Sequence, residues 1–322
     1  MKRTLFVFTT AFFMLFTFSS CEKAVLEGSG DDTEATTQKT QLVSLNLASE
    51  TTPMVGASRV PLSSQIVYGI NVYAKKEGFA SYAKYAYGLF IDVSKVSLEL
   101  PEGSTYKFEC VAIQDDESQL FHEGLVYKAP YLHGDAGLPT EASNAFVRST
   151  SENLSSMKNF SVNLMGQDDV AKVSHIYKYY GVVDGYNPAA GADPQLALKK
   201  MVYGLHFSIK PPKEGTLKIS YNGTESVEVS AQNDAYDHSF IYPFSRLDEA
   251  SADNYSVTLT LFLTWTKADG TVFTGQKDIT IKRNVMYNIA IDASGPNPKQ
   301  FTLTLDNSEM LQENIEWHFQ TQ

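Results

Sequence analysis

Val257-Thr258-Leu259-Thr260-Leu261-Phe262-Leu263-Thr264-Trp265 places a large apolar residue at every odd position and, with one exception, threonine at every even one. Successive side chains of an extended chain point to opposite faces, so this period of two predicts a half-buried β-strand. Trp265 shares the parity of the leucines, which makes it a core residue rather than an exposed platform. Lys267-Ala268-Asp269-Gly270 follows, and its Asp-Gly pair is a tight-turn signal before the chain resumes at Phe273. A β-hairpin is predicted there.

The same pattern extends both ways along the chain. Downstream lie Asp278 to Lys282, Met286 to Ile291, Thr302 to Leu305 and the tail Ile315-Glu316-Trp317-His318-Phe319. Upstream lie Ser226 to Ser230, Thr216 to Tyr221 and Val202 to Ile209, a series that begins at Leu196. His206, between Leu205 and Phe207, falls on the polar side of its strand. Tyr177 to Gly181 leads into Asp184 to Pro194, a stretch rich in Gly, Pro and Ala that reads as a boundary between two halves. The first half repeats the strand pattern at Ile66 to Tyr73, Tyr82 to Ile91, Val96 to Leu100, Thr105 to Ile113 and Phe160 to Leu164. Ahead of these, Val43, Leu45 and Leu47 alternate with Ser44, Asn46 and Ala48. Short strands, frequent turns and no long run of period 3.6 predict an all-β chain of two β-sandwich domains, 41–185 and 194–322.

The front of the chain has a different character. Met1-Lys2-Arg3 is basic, Leu5 to Phe18 is apolar and rich in Phe, and Ser19-Ser20 precede Cys21. This run is shorter than the roughly 20 residues a membrane-spanning helix needs and carries the order of a secretory leader. A cysteine at the cut site marks the lipoprotein variant, in which the thiol receives a diacylglycerol and cleavage leaves Cys21 as an acylated N-terminus. Residues 1–20 are then a signal peptide, and 21–40 an acidic, flexible tether carrying Glu22, Glu27, Asp31, Asp32 and Glu34. The expected location is the outer membrane, facing outward, with Cys21 lipid as the link to the bilayer.

Composition excludes several chemistries. The formal net charge of −11 argues against nucleic acid and anionic lipid surfaces as partners. Cys21 and Cys110 are the two cysteines, so once Cys21 is acylated no disulfide forms within the chain. Cys110 has the parity of Tyr106 and Phe108 and reads as an inert packing residue. The histidines at 122, 133, 175, 206, 238 and 318 have no zinc-site spacing. Nucleophile elbow, phosphate loop and dinucleotide fingerprint are all missing. Asp115-Asp116-Glu117 and Asp168-Asp169 read as solvated tips rather than calcium ligands. No catalytic residue, metal or cofactor is expected. Trp317, in the tail, whose face is less determined than that of Trp265, is the candidate contact for a sugar ring.

Four stretches carry a resemblance to a known family. They are the lipidated Cys21 with its acidic tether and the early strand Leu42 to Ala48; Glu50-Thr51-Thr52-Pro53-Met54 leading to Ser58-Arg59 and then Val67 to Tyr73; Leu196 to Leu205; and Lys282-Arg283-Asn284-Val285-Met286-Tyr287-Asn288-Ile289. In this order they resemble the fimbrillin-type surface lipoproteins of Gram-negative anaerobes. The resemblance implies two transthyretin-like β-sandwiches and a place in pili or surface adhesion. It also implies proteolysis after an arginine beyond the first strand, after which a neighbouring subunit's strand fills the vacated groove. Arg59 stands where such a cut would fall. The sequence thus predicts a non-enzymatic, lipid-anchored envelope protein, a fimbrial subunit or accessory or an adhesin, with other pilus subunits as partners by β-strand addition. The alternative is a carbohydrate-binding surface lipoprotein of a glycan-uptake system, with surface glycans as partners.

Overall fold

A computed structural model describes residues 39–49, 65–115, 120–158, 176–221, 225–233, 235–295 and 302–306. The expected alternation of Val43, Leu45 and Leu47 is present but divided at Leu45 into β1 (Thr40–Ser44) and β2 (Asn46–Ser49). β3 (Gln65–Lys76), β4 (Ala83–Phe90), β5 (Ser97–Pro101) and β6 (Ser104–Asp115) follow where the period-two runs place them. β7 (His122–Glu123), β8 (Val126–His133), β9 (Leu138–Glu141) and β10 (Phe146–Arg148) have no counterpart in the sequence pattern. Pro130 and Pro139 interrupt the alternation there, and the Ala129–Pro130 peptide is cis. The expected strand Phe160 to Leu164 lies outside the described residues.

β11 (Ile176–Tyr186), β12 (Gln195–Lys200), β13 (Val202–Lys210), β14 (Thr216–Tyr221) and β15 (Glu225–Ser230) continue the chain. After β16 (Tyr236–Pro243) comes α1, one turn of helix at Leu247–Ala250. β17 (Val257–Thr266), β18 (Val272–Ile281), β19 (Met286–Asp292) and β20 (Thr302–Asp306) complete it. The strands form a seven-stranded sheet in the order β10-β4-β3-β6-β11-β12-β2, two four-stranded sheets, β16-β13-β19-β20 and β15-β14-β17-β18, and smaller sheets β1-β5 and β7-β8-β9.

Both faces of the seven-stranded sheet are covered. Ile70 and Val72 of β3, Phe108, Cys110 and Ala112 of β6 and Tyr177 and Tyr179 of β11 pack on one side beneath Val43, Leu45, Leu98 and Leu100. Val67, Leu89, Val111 and Ile113 face the other side, beneath Tyr127 and Tyr131. The Tyr131 hydroxyl is buried and donates to the Val67 carbonyl at 2.7 Å, so its polar end is satisfied inside the core. Cys110 is fully buried, as its parity requires, and burial pushes its thiol pKa well up.

The two four-stranded sheets share a core in the layering of a β-sandwich. Leu259, Leu261, Leu263 and Trp265 of β17 meet Leu205, Phe207 and Ile209 of β13 and Ile289 and Ile291 of β19. The Trp265 Nε1 donates to the Glu214 carbonyl at 2.8 Å. β17 and β18 form the expected hairpin, with Trp265 opposite Phe273. β13 and β19 run parallel, and β13 pairs antiparallel with β16 on its other side.

Leu196 to Leu198 lie in β12, which hydrogen-bonds to β11 of the seven-stranded sheet. Buried Met201 alone separates it from β13 of the next sheet. There the Met201 N–H donates to the Lys178 carbonyl at 2.7 Å, and the Phe244 N–H donates to the Met201 carbonyl at 2.9 Å. Val202, Ile241 and Met286 enter the same core as Ile70 and Phe108.

Candidate functional site

The first strand straddles two sheets. β1 runs antiparallel to β5, with Val43 opposite Leu98 and Gln41 opposite Leu100. β2 runs parallel to β12, with Leu47 opposite Leu196. The crossover sits at Leu45, whose N–H donates to the Val96 carbonyl at 2.9 Å, while the Asn46 N–H donates to the Pro194 carbonyl at 3.1 Å. Val43 and Leu45 are buried in the core beneath the seven-stranded sheet, and Leu42 points away, 67 % exposed.

Polar contacts hold both ends of β1. The Glu102 N–H donates to the Lys39 carbonyl at 2.9 Å, and Lys39 Nζ pairs with Glu102 Oε1 at 3.0 Å. The Ser44 N–H donates to Asp193 Oδ1 at 3.1 Å. Lys39, Glu102 and Asp193 had no signal in the sequence, because their pairing depends on the register of strands remote in the chain. Among the described residues β1 is the sole partner of β5, and β2 is the edge strand beside β12. Without the first strand, two ladders and the apolar side chains beneath them would face water.

A second concentration of polar groups lies on the opposite face of the seven-stranded sheet. Glu109 of β6 is buried; Tyr180 donates to its Oε1 at 2.8 Å, Tyr73 to its Oε2 at 3.2 Å, and Lys158 Nζ lies 3.0 Å from Oε1. Lys158 also pairs with Asp248 of α1 at 2.9 Å, and the Tyr180 hydroxyl reaches Asp248 as well. Burial opposes ionisation of Asp248, but its bonds to Tyr180 and Lys158 win and hold the carboxyl below the usual range. Burial pushes the Tyr180 hydroxyl up, and the two carboxylates push it further. Nearby, Asn71 exchanges hydrogen bonds with the backbone of Leu154, at 2.9 Å and 3.2 Å. The carboxylates are engaged by these partners in a cross-brace between strands, the 149–158 segment and α1, an arrangement that holds chain segments together.

Cys21, Arg59 and Trp317 lie outside the described residues, as do Asp116, Glu117, Asp168, Asp169 and the side chain of Asp115. His206 is half-buried on the outer face of its sheet, with Nδ1 2.9 Å from Ser239 Oγ and Nε2 3.7 Å from Asp237 Oδ1. Among the described residues no three His, Cys, Asp or Glu side chains converge as metal ligands. No helix among them is long and apolar enough to cross a membrane.

No family model matches the sequence, and no curated protein matches it. Several solved structures show distant similarity. One is the fimbrial anchor protein Mfa2 of Porphyromonas gingivalis, 12 % identical with a TM-score of 0.34, covering 86 % of this chain and 100 % of that one. Another is the tip fimbrial protein Mfa3 of Porphyromonas gingivalis with a C-terminal truncation, 11 % identical with a TM-score of 0.29, covering 75 % and 93 %. A third is a fimbrial assembly protein of Parabacteroides distasonis, 12 % identical with a TM-score of 0.31, covering 84 % and 97 %. At these identities and scores the likeness assigns neither family nor function.

Proposed function

We propose that this chain is a non-enzymatic surface lipoprotein, anchored in the outer membrane through acylated Cys21 and acting in adhesion or as a fimbrial subunit or accessory. Its two halves are transthyretin-like sandwiches, and its first strand is exchangeable. The observation that carries this reading is the placement of β1 and β2. Two adjacent short strands fill the space between β5 and β12, and Arg59 follows ten residues after Ser49 in the sequence. Cleavage after Arg59 would release them. Burying Val43 and Leu45 stabilises the fold by roughly 1.5–3 kcal/mol each, a sizeable share of a domain margin of about 5–15 kcal/mol. The vacated groove then favours a replacement strand, with main-chain bonds supplying affinity and alternate side chains supplying register.

Mapping the mature N-terminus of protein isolated from its native envelope tests the reading. A start at Val60 in assembled material supports strand exchange. A start at acylated Cys21 removes the exchange and leaves an anchor or monomeric adhesin, and an unacylated product that still begins at or before Cys21 refutes the proposal as a whole.

A further inference from the structure

Three turns meet at one end of the seven-stranded sheet: the β3–β4 turn, the β5–β6 turn and the turn after β11. They border an open cleft of about 450 Å3 whose walls include Lys76, Phe79, Glu102, Ser104, Thr105 and Asn187. That volume lies within the range of small-molecule sites, about 300–1,000 Å3. Loop clusters held by a rigid sheet are also where binding residues concentrate. We infer that this cleft binds a neutral pyranose ring of a glycan, with Phe79 as the stacking surface.

The lining decides the ligand class. Phe79 stands at the rim, 67 % exposed, while its backbone is tied down by an N–H bond to the Lys76 carbonyl at 3.1 Å. A large apolar ring held in water beside polar walls suits a partner with both an apolar face and hydroxyl edges. A pyranose has C–H groups on its ring faces and hydroxyls around its rim. Ser104, Thr105 and Glu102 give the wall its polar edge, with the Thr105 hydroxyl donating to the Lys75 carbonyl at 3.5 Å. Asn187 Oδ1 accepts from the Ala189 N–H at 3.0 Å, which leaves the amide NH2 to donate. Among the lining residues the two lysines, Lys75 and Lys76, are matched by two glutamates, Glu77 and Glu102, so the lining shows no single-sign cluster of the kind that captures a phosphate or a cation. One wall depends on the first strand, because Glu102 is held by both the carbonyl and the ammonium of Lys39. The cleft is therefore complete while β1 is in place, the state of the uncleaved chain, and the inference is made for that state.

The experiment is saturation-transfer NMR and titration of the purified full chain with glucose, galactose, mannose, fucose, N-acetylglucosamine and N-acetylgalactosamine. At least one of these should bind. Phe79→Ala should weaken that sugar about tenfold or more, as expected for loss of an aromatic contact. Phe79→Tyr should retain it. Phe262→Ala, which removes another exposed ring (50 % exposed) on β17, should leave it unchanged, with the melting temperature of each variant confirming the fold. Absence of binding by all six sugars overturns the inference. So does binding that survives Phe79→Ala or is lost equally in Phe262→Ala.

Discussion

Lys178 of β11 is fully buried on the face of the sheet that carries Val111 and Ile113, opposite Ile113 in the ladder. Burial pulls its ammonium pKa down to about 7. In the unfolded chain the same group holds its proton to about 10.4. Between those values the unfolded state binds more protons than the folded state, so this lysine makes stability rise with pH from about 7 to about 10, with a slope of at most about 1.4 kcal/mol per pH unit. Lys178→Met removes the titration. Urea denaturation should find the variant more stable than the parent at pH 7, by a margin that shrinks towards pH 10. A margin that stays constant across that window would show that this amine is not the group responsible. Tyr180 supplies a second residue-level expectation. Tyr180→Phe leaves buried Glu109 without its 2.8 Å donor and should cost about 1–3 kcal/mol in urea midpoint analysis. Neither role was visible in the sequence: Lys178 sits in Tyr177-Lys178-Tyr179-Tyr180, and nothing local says which face of the strand will be dry.

Among the elements, β1 and the β17–β18 hairpin give the sharpest contrasts. Leu45→Ala should cost about 2–5 kcal/mol by opening a cavity under the seven-stranded sheet. Leu42→Ala, three residues earlier and exposed, should change stability by less than about 0.5 kcal/mol. Equal effects would mean that the strand is not seated as described. Two glycines near the hairpin separate backbone strain from collision. Gly270 in the turn has φ +85° with open space where a Cβ would stand, whereas Gly215 has φ +72° and a Cβ there would lie 2.0 Å from the Thr266 carbonyl oxygen. Gly270→Ala should therefore cost about 1 kcal/mol, and Gly215→Ala clearly more, by thermal denaturation. The hairpin was legible because each of its signals is local: alternation on both arms and Asp-Gly between them. β8 and β9 were not, since their place in the fold comes from Tyr127 and Tyr131 packing on a sheet built elsewhere, and prolines hide the period. β16 was missed although Phe240 and Tyr242 alternate with Ser239 and Ile241, because apolar residues occupy both parities at its end.

For the whole molecule, the expected boundary at 185–194 runs into the geometry of β12 and β13. Only Met201 separates the last strand added to the first sheet from the first strand of the next, and Val202, Ile241 and Met286 extend the first core into the second half. Lys158 and Asp248 tie the halves again on the opposite face at 2.9 Å. The two halves should therefore unfold together, with far-UV circular dichroism and tryptophan fluorescence giving coincident urea transitions. Two separated transitions would mean that the junction transmits little stability.

The sequence by itself determined that the described chain is built almost wholly from strands, which side of β17 is dry, that Trp265 and Cys110 are interior, and where the Asp-Gly hairpin turns. Those properties follow from a two-residue period and from turn chemistry, both of which act within a few residues. Tertiary structure alone decided that the first strand divides at Leu45, that β2 lies parallel to β12, that Ser44 meets Asp193 across 149 residues, and that three turns gather around Phe79. Alternation says which face of a strand seeks the core. It does not say which distant strand completes the ladder, and that choice is settled when the assembled sheets find the packing that buries both faces at once.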